Sequence, residues 1–478
     1  MLFNSIDFLL FLPLVVGIYY LIPHRFRWFF LLIASYYFYM CWKAEFIVLI
    51  VISTLVDYAA GLRMEGTNDH RVRKMWLGFS LASNLGMLFT FKYLNFFSAS
   101  FQEVFNTFNI GYHFPTYNLL LPAGISFYTF QTLSYTIDVY RGQKKAEHHF
   151  GIFALYVCFF PQLVAGPIER AVSFLPQFHE KHALDIQRIV DGMRMVLWGL
   201  FKKIVIADRL SIYVNTVYNN PYHFDSAPTF IMATYFFAFQ IYCDFSAYSD
   251  IAIGSARMLG FDLMENFRKP YESKSISEFW SRWHISLSTW FRDYLYIPLG
   301  GNRVGKIYYY RNLFIIFLVS GLWHGANWTF VIWGALHGFF LVFALLSKSL
   351  RESFSEKIGL KKFKGLHGAL QVFICFHLVC LGWIFFRANN LSDAFHVIGA
   401  ILSPNWFSLD IPNASHFFYG ILGIVSLLAV ERLQGNGTMV ESFNRWPTWL
   451  RWGIYSYCIL LILTIGVIDG GQFIYFQF

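Results

Sequence analysis

The chain has 478 residues, of which 56% are hydrophobic, 21% aromatic and only 14% charged, and its mean hydropathy is +0.46. A soluble globular domain carries about 25% charged residues, so this composition argues against a soluble enzyme, and apolar stretches of helix-spanning length recurring along the chain mark an all-α polytopic membrane protein. The net charge of +9 falls in basic blocks between apolar segments, which points to cytoplasmic loops and anionic lipid headgroups rather than to nucleic acid.

The first apolar segment, Phe8 to Ile22, has no basic region before it and no small-residue cleavage site after it. It reads as a retained membrane segment. Lysine and arginine gather at Arg63–Lys74, Arg141–His149, Arg170–Arg209, Arg257–Arg311 and Lys348–Lys364, whereas Ser98–Asn118, Ser211–Thr229 and Asn389–His416 are nearly free of them. The first set is expected on the cytoplasmic side. The spans Trp76–Tyr93, Leu119–Tyr140, Phe230–Gly254 and Val372–Phe386 join the two sets, and the same rule puts His24-Arg-Phe-Arg27 inside and the N-terminus outside. About eleven membrane segments are expected, some too short to cross and therefore re-entrant or interfacial. No linker, low-complexity tract or repeat divides residues 1–478, so a single membrane domain is expected.

Six cysteines (Cys41, Cys158, Cys243, Cys375, Cys380 and Cys458) are scattered through apolar segments with no CxxC pair. They read as small buried hydrophobes, without a metal site or disulfide framework. Asp57, Asp138, Asp244 and Asp250 fall in apolar surroundings, where each is a functional acid or, more commonly, a hydrogen-bonded structural one. Pro161-Gln-Leu-Val-Ala-Gly-Pro-Ile-Glu-Arg170 combines helix breakers with an amide and an ion-pair candidate. Irregular backbone at membrane depth is tolerated where protein or a water-filled cavity lines it. Gln162 and Glu169 are therefore candidates for the wall of a tunnel, the alternative being a plain helix-terminating loop.

The block from Gly260 to Arg311 is too long for a turn and too aromatic for a solvated loop, and it fits a segment at the membrane interface. Ser275-Ile-Ser-Glu278 is a capping-box pattern. Beyond it Trp280, Trp283, His284, Leu287, Trp290, Phe291 and Tyr294 recur at three- and four-residue steps, which predicts one face of a continuous helix ended by Pro298, Gly300 and Gly301. His284 falls on the aromatic face, as a packed structural histidine or as a functional one. Arg282, Arg292, Asp293, Asn302 and Arg303 crowd the same stretch and are candidates for holding a phosphate- or carboxylate-bearing cofactor.

His324 stands in Gly321-Leu-Trp-His-Gly-Ala-Asn-Trp328, inside an apolar run from Leu313 to Leu346. An imidazole at membrane depth is expensive, and it is the side chain best matched to proton transfer near neutral pH. Its small neighbours leave room for a substrate or another helix. Asn327 is a candidate to orient the ring or the substrate, and Trp323 and Trp328 to wall a cavity beside it.

These stretches resemble the membrane-bound O-acyltransferases, in the bacterial branch that acetylates exported polysaccharides such as alginate. The resemblance is carried by Met1-Leu-Phe-Asn-Ser5, Phe160–Arg170, Tyr242–Gly254, Phe279–Gly301, Gly321–Trp328 and Trp383-Ile-Phe-Phe-Arg387. It implies helices around a central funnel or tunnel, with His324 as the catalytic histidine and His284 as the second histidine of this branch. It also implies acetyl-CoA as donor, with no permanently bound cofactor, a periplasmic or extracellular transferase as partner, a polysaccharide acceptor and the bacterial inner membrane as location. His324 would then act as general base on a hydroxyl, with His284 or Asn327 polarising the acyl carbonyl, or an acetyl-histidine relay would form. Competing expectations are peptidoglycan or cellulose as acceptor, D-alanyl transfer for teichoic acid, and a transporter or non-catalytic scaffold of a secretion complex.

Overall fold

In the computed structural model, which describes residues 1–164, 166–435, 437–467 and 473–474, the chain is helical, with no β-strand among the described residues. Six of the described helices are long and apolar enough to cross a bilayer: Ala44–Glu65, Ala227–Met258, Trp328–Leu346, Lys364–Arg387, Ala414–Gln434 and Thr448–Ile465. Ile6–Leu21 and Leu391–Leu402 are shorter apolar helices. The architecture is the all-α polytopic class that the composition implies.

The chain forms two compact units, one of Met1–Val196 with Tyr248–Met264, the other of Leu197–Ala247 with Glu265–Phe478. In the first unit a buried carboxylate ties three helices together. Asp57, on Ile47–Glu65, accepts from Ser80 Oγ at 2.5 Å and from Asn84 Nδ2 at 3.0 Å, both on His70–Leu88. Ser80 in turn donates to Thr136 Oγ1 at 3.2 Å on Ile125–Tyr140. A charge removed from water must be met by donors in this way. The expected span Leu119–Tyr140 starts later than its apolar pattern suggests. Its helix begins at Ile125, because Gly124 takes φ +75° where a β-carbon would lie 2.6 Å from the Leu163 carbonyl oxygen.

The second unit holds an aromatic core around Trp283, Trp333 and Trp383, all under 2% exposed. Its closest helix pair, Lys306–His324 and Trp328–Leu346, packs backbone against backbone. A β-carbon at Gly321 would lie 2.3 Å from the Phe330 carbonyl oxygen, and one at Gly334 would lie 2.2 Å from that of Phe317. The small residues beside His324 thus admit a neighbouring helix. Elsewhere in this unit Lys203 is bracketed by Asp208 at 2.7 Å and Asp244 at 2.8 Å, all three buried, and Lys202 donates to Ser246 Oγ at 2.7 Å. Burying these charges is tolerable only because each is paired.

Candidate active site

Ser275 does open a helix, its hydroxyl accepting from the Glu278 N–H at 3.2 Å. The Glu278 carboxylate accepts from the Lys274 N–H at 2.8 Å instead of closing the box on Ser275. The aromatic spacing from Trp280 to Tyr294 predicts one continuous helix, and the structure corrects this. The helix ends at Arg282, a second begins at Ile285, and His284 sits at the break with φ 45° and ψ 55°. This left-handed conformation costs a non-glycine residue on the order of 1–3 kcal/mol.

Asn266 accounts for the break. Its backbone carbonyl accepts from the Ile285 N–H at 3.0 Å, and its side-chain Oδ1 accepts from the Ser286 N–H at 3.2 Å and the Ser286 hydroxyl at 2.9 Å. The N–H groups at the start of the second helix are thereby satisfied without a preceding turn. Nδ1 of His284 lies 3.1 Å from the same Oδ1. Since that oxygen accepts from Ser286, Nδ1 donates to it, and in the neutral ring Nε2 carries the lone pair. His284 is fully buried, and desolvation lowers its pKa from the ordinary imidazole value, so the neutral form prevails near pH 7.

His324 ends the Lys306–His324 helix and is 2% exposed. Its ring meets Trp323 and Trp333, each at 4.9 Å between ring centres, and Phe386 at 5.4 Å. Trp323 also lies 6.0 Å from His284, so the two imidazoles share one indole. Phe245 packs edge-on against His284 at 4.6 Å. The chain leaves the helix through Gly325, where a β-carbon would fall 2.1 Å from the Phe330 ring.

Asn327 caps the next helix. Its Oδ1 accepts from the Thr329 N–H at 3.0 Å and its Nδ2 donates to the Asn389 carbonyl at 3.0 Å. Trp328, one residue on, is 50% exposed, unlike the buried Trp323. Trp283 is buried between Phe279 at 5.5 Å and Trp383 at 5.1 Å. Arg282 is paired with Glu278 at 2.6 Å, and Arg292 with Asp293 at 2.8 Å. Asn302 and Arg303 lie exposed in the turn before Lys306. Gln162 and Glu169 belong to the first unit. There Gln162 donates to the Tyr156 carbonyl at 3.0 Å and Glu169 accepts from the Met264 N–H at 2.6 Å, both buried. Ala165 of the same motif lies outside the described residues.

Three residues at this site escape the sequence pattern. Asn266 is a lone amide in a loop, 18 positions before His284. Trp333 and His337 do carry a signal, a helical step of four that puts both on one face. His337 is fully buried, accepts from the Trp280 indole N–H at 3.3 Å, and lies 5.0 Å from Trp333. The assembled arrangement is two water-excluded imidazoles beside one indole, a setting suited to moving a proton on and off a reacting hydroxyl.

Comparison with known proteins agrees in kind. Residues 144–386 match the family model of the membrane-bound O-acyltransferases. The chain is 43% identical to the "Probable alginate O-acetylase AlgI" of Pseudomonas aeruginosa over 421 residues, 87% of this chain and 78% of that one. It is 37% identical over 411 residues to the peptidoglycan O-acetyltransferase of Helicobacter pylori, covering 79% and 74% of the two chains. It is 28% identical over 302 residues to the teichoic acid D-alanyltransferase of Bacillus subtilis, covering 58% and 71%. With a family match over half its length and a relative 43% identical over most of it, the chain belongs to the membrane-bound O-acyltransferase family and is an O-acyltransferase.

Proposed function

We propose that this enzyme takes an acetyl group from acetyl-CoA at the cytoplasmic face of a bacterial inner membrane and passes it through a membrane tunnel toward an exported, alginate-like polysaccharide. An extracytoplasmic transferase is the partner for the last step. The observation that carries the reading is the shared indole of Trp323, which brings the buried imidazoles of His284 and His324 to one place.

The reacting hydroxyl gives its proton to His324 as its oxygen attacks the thioester carbon, so that a C–O bond forms as the C–S bond breaks. The imidazolium returns the proton to the departing thiolate. Removal from water strengthens the hold of His324 on the reacting groups. His284, held by Asn266, polarises the acyl group from the other imidazole position. The exposed Asn302 and Arg303 are the polar residues left to meet a phosphate-bearing donor, because Arg282 and Arg292 already face carboxylates. Acetylation of peptidoglycan is the second reading, favoured by the Helicobacter pylori relative.

The test is the acetyl ester content of the exported glycan by mass spectrometry in cells carrying His324→Ala. The proposal requires loss of the ester at unchanged membrane protein level. Ester retained at wild-type level removes it.

A further inference from the structure

The second unit contains a cavity of about 790 Å³ that extends from beside the candidate active site. Its body is apolar, walled by Leu287, Phe291, Leu313, Ile316, Phe317 and Leu341. At its inner end it reaches Trp280 and Ser320, the latter one helical turn before His324.

The mouth has two kinds of rim. One is apolar and uncovered: Leu345, Phe354, Ile358, Leu370 and Ile374 line the cavity yet are between 38% and 64% exposed. The other is cationic, formed by Lys348 and Arg351 beside Arg292 and Lys361, which are paired with Asp293 at 2.8 Å and Glu356 at 3.6 Å, and Glu352 is the acidic side chain among the described lining residues. Arg351 is held by neutral acceptors, the Ser347 hydroxyl at 3.0 Å and the Ala344 carbonyl at 2.6 Å. Lys348 lies 4.0 Å from Glu352, too long for a close hydrogen bond. The helix Lys348–Lys357 bears these cations together with exposed Leu350 and Phe354, the pattern of a helix lying in a membrane interface. Its basic loop is also one that the charge rule puts on the cytoplasmic side, where anionic lipids concentrate.

We propose that this cavity is a binding site for an anionic phospholipid, with acyl chain in the apolar body and phosphate at Lys348 and Arg351. Charge complementarity selects the headgroup and the exposed leucine, isoleucine and phenylalanine rim selects a ligand arriving from the bilayer. A water-borne donor such as acetyl-CoA would have to cross that apolar rim, which is why the lipid is the occupant chosen.

The experiment uses the full chain, purified from vesicles holding equal phosphatidylglycerol and phosphatidylcholine, with retained lipid counted by native mass spectrometry. Phosphatidylglycerol is expected in excess. Lys348→Gln with Arg351→Gln reduces that preference by about thirtyfold, each cation near a membrane surface contributing about fivefold. Ile316→Trp, which fills the body and leaves the cations in place, lowers retention of both lipids, and it serves alone if the double variant does not fold. Equal retention of the two lipids, an unchanged preference in the double variant, or displacement of phosphatidylglycerol by added acetyl-CoA overturns the proposal. The last result would assign the cavity to the donor.

Discussion

The imidazole of His284 stands 6.0 Å from the indole of Trp323, ring centre to ring centre, although 39 positions separate them in the chain. Trp323 is adjacent to His324, and so this packing contact brings two distant sequence motifs together. On the function proposed above, whatever orients His284 bears on transfer.

Asn266 is the clearest such residue. Asn266→Ala removes the acceptor of Ser286 and of His284 Nδ1. We expect a loss of about 10²-fold in acetyl transfer, the scale on which small misplacement of a reacting group is felt, with a loss of about 1–3 kcal/mol in stability from the donors left unmet. Initial transfer rates and thermal unfolding of the same preparation check both. Wild-type transfer in a folded variant would show that His284 needs no such support.

The glycines of the His324 hairpin should rank by what their added methyl group meets. At Gly321 it meets the Phe330 backbone oxygen, which is fixed by the helix, whereas at Gly325 it meets the Phe330 ring, a side chain with rotatable bonds. Gly321→Ala is expected to cost more than Gly325→Ala, with overpacking at the former in the range of about 1–3 kcal/mol or above. Melting temperatures in one detergent give the order, and the reverse order would refute the packing described.

Lys203→Met leaves Asp208 and Asp244 buried without their shared cation. Breaking a buried pair by removing one partner costs about 3–5 kcal/mol, so the variant should fall sharply in membrane abundance. Converting both aspartates to asparagine in the same chain should recover part of the loss, since no unpaired charge remains. Abundance by immunoblot of the two variants decides the matter.

The membrane class was legible because long apolar windows need no tertiary information, and His324 because an imidazole in such a window stands out. The break at Trp283–His284 was not legible. Aromatic spacing continues straight across it, and its cause is an amide in a separate loop, which no local pattern registers. Asn327 stands before an apolar helix, an ordinary cap position, and the structure uses it as one; its place beside His324 draws attention to the ring instead. The pairing of Arg282 with Glu278 follows the four-residue helical step and was within reach of sequence alone.

The most direct measurement is transfer of radiolabel from acetyl-CoA to polysaccharide by membrane vesicles holding the protein together with the extracytoplasmic partner proposed for it, comparing wild type with His324→Gln. Glutamine keeps the polar bulk but cannot take a proton. The account predicts a fall of about 10²–10⁴-fold with unfolding temperature unchanged. Transfer by folded His324→Gln at the wild-type rate would contradict it.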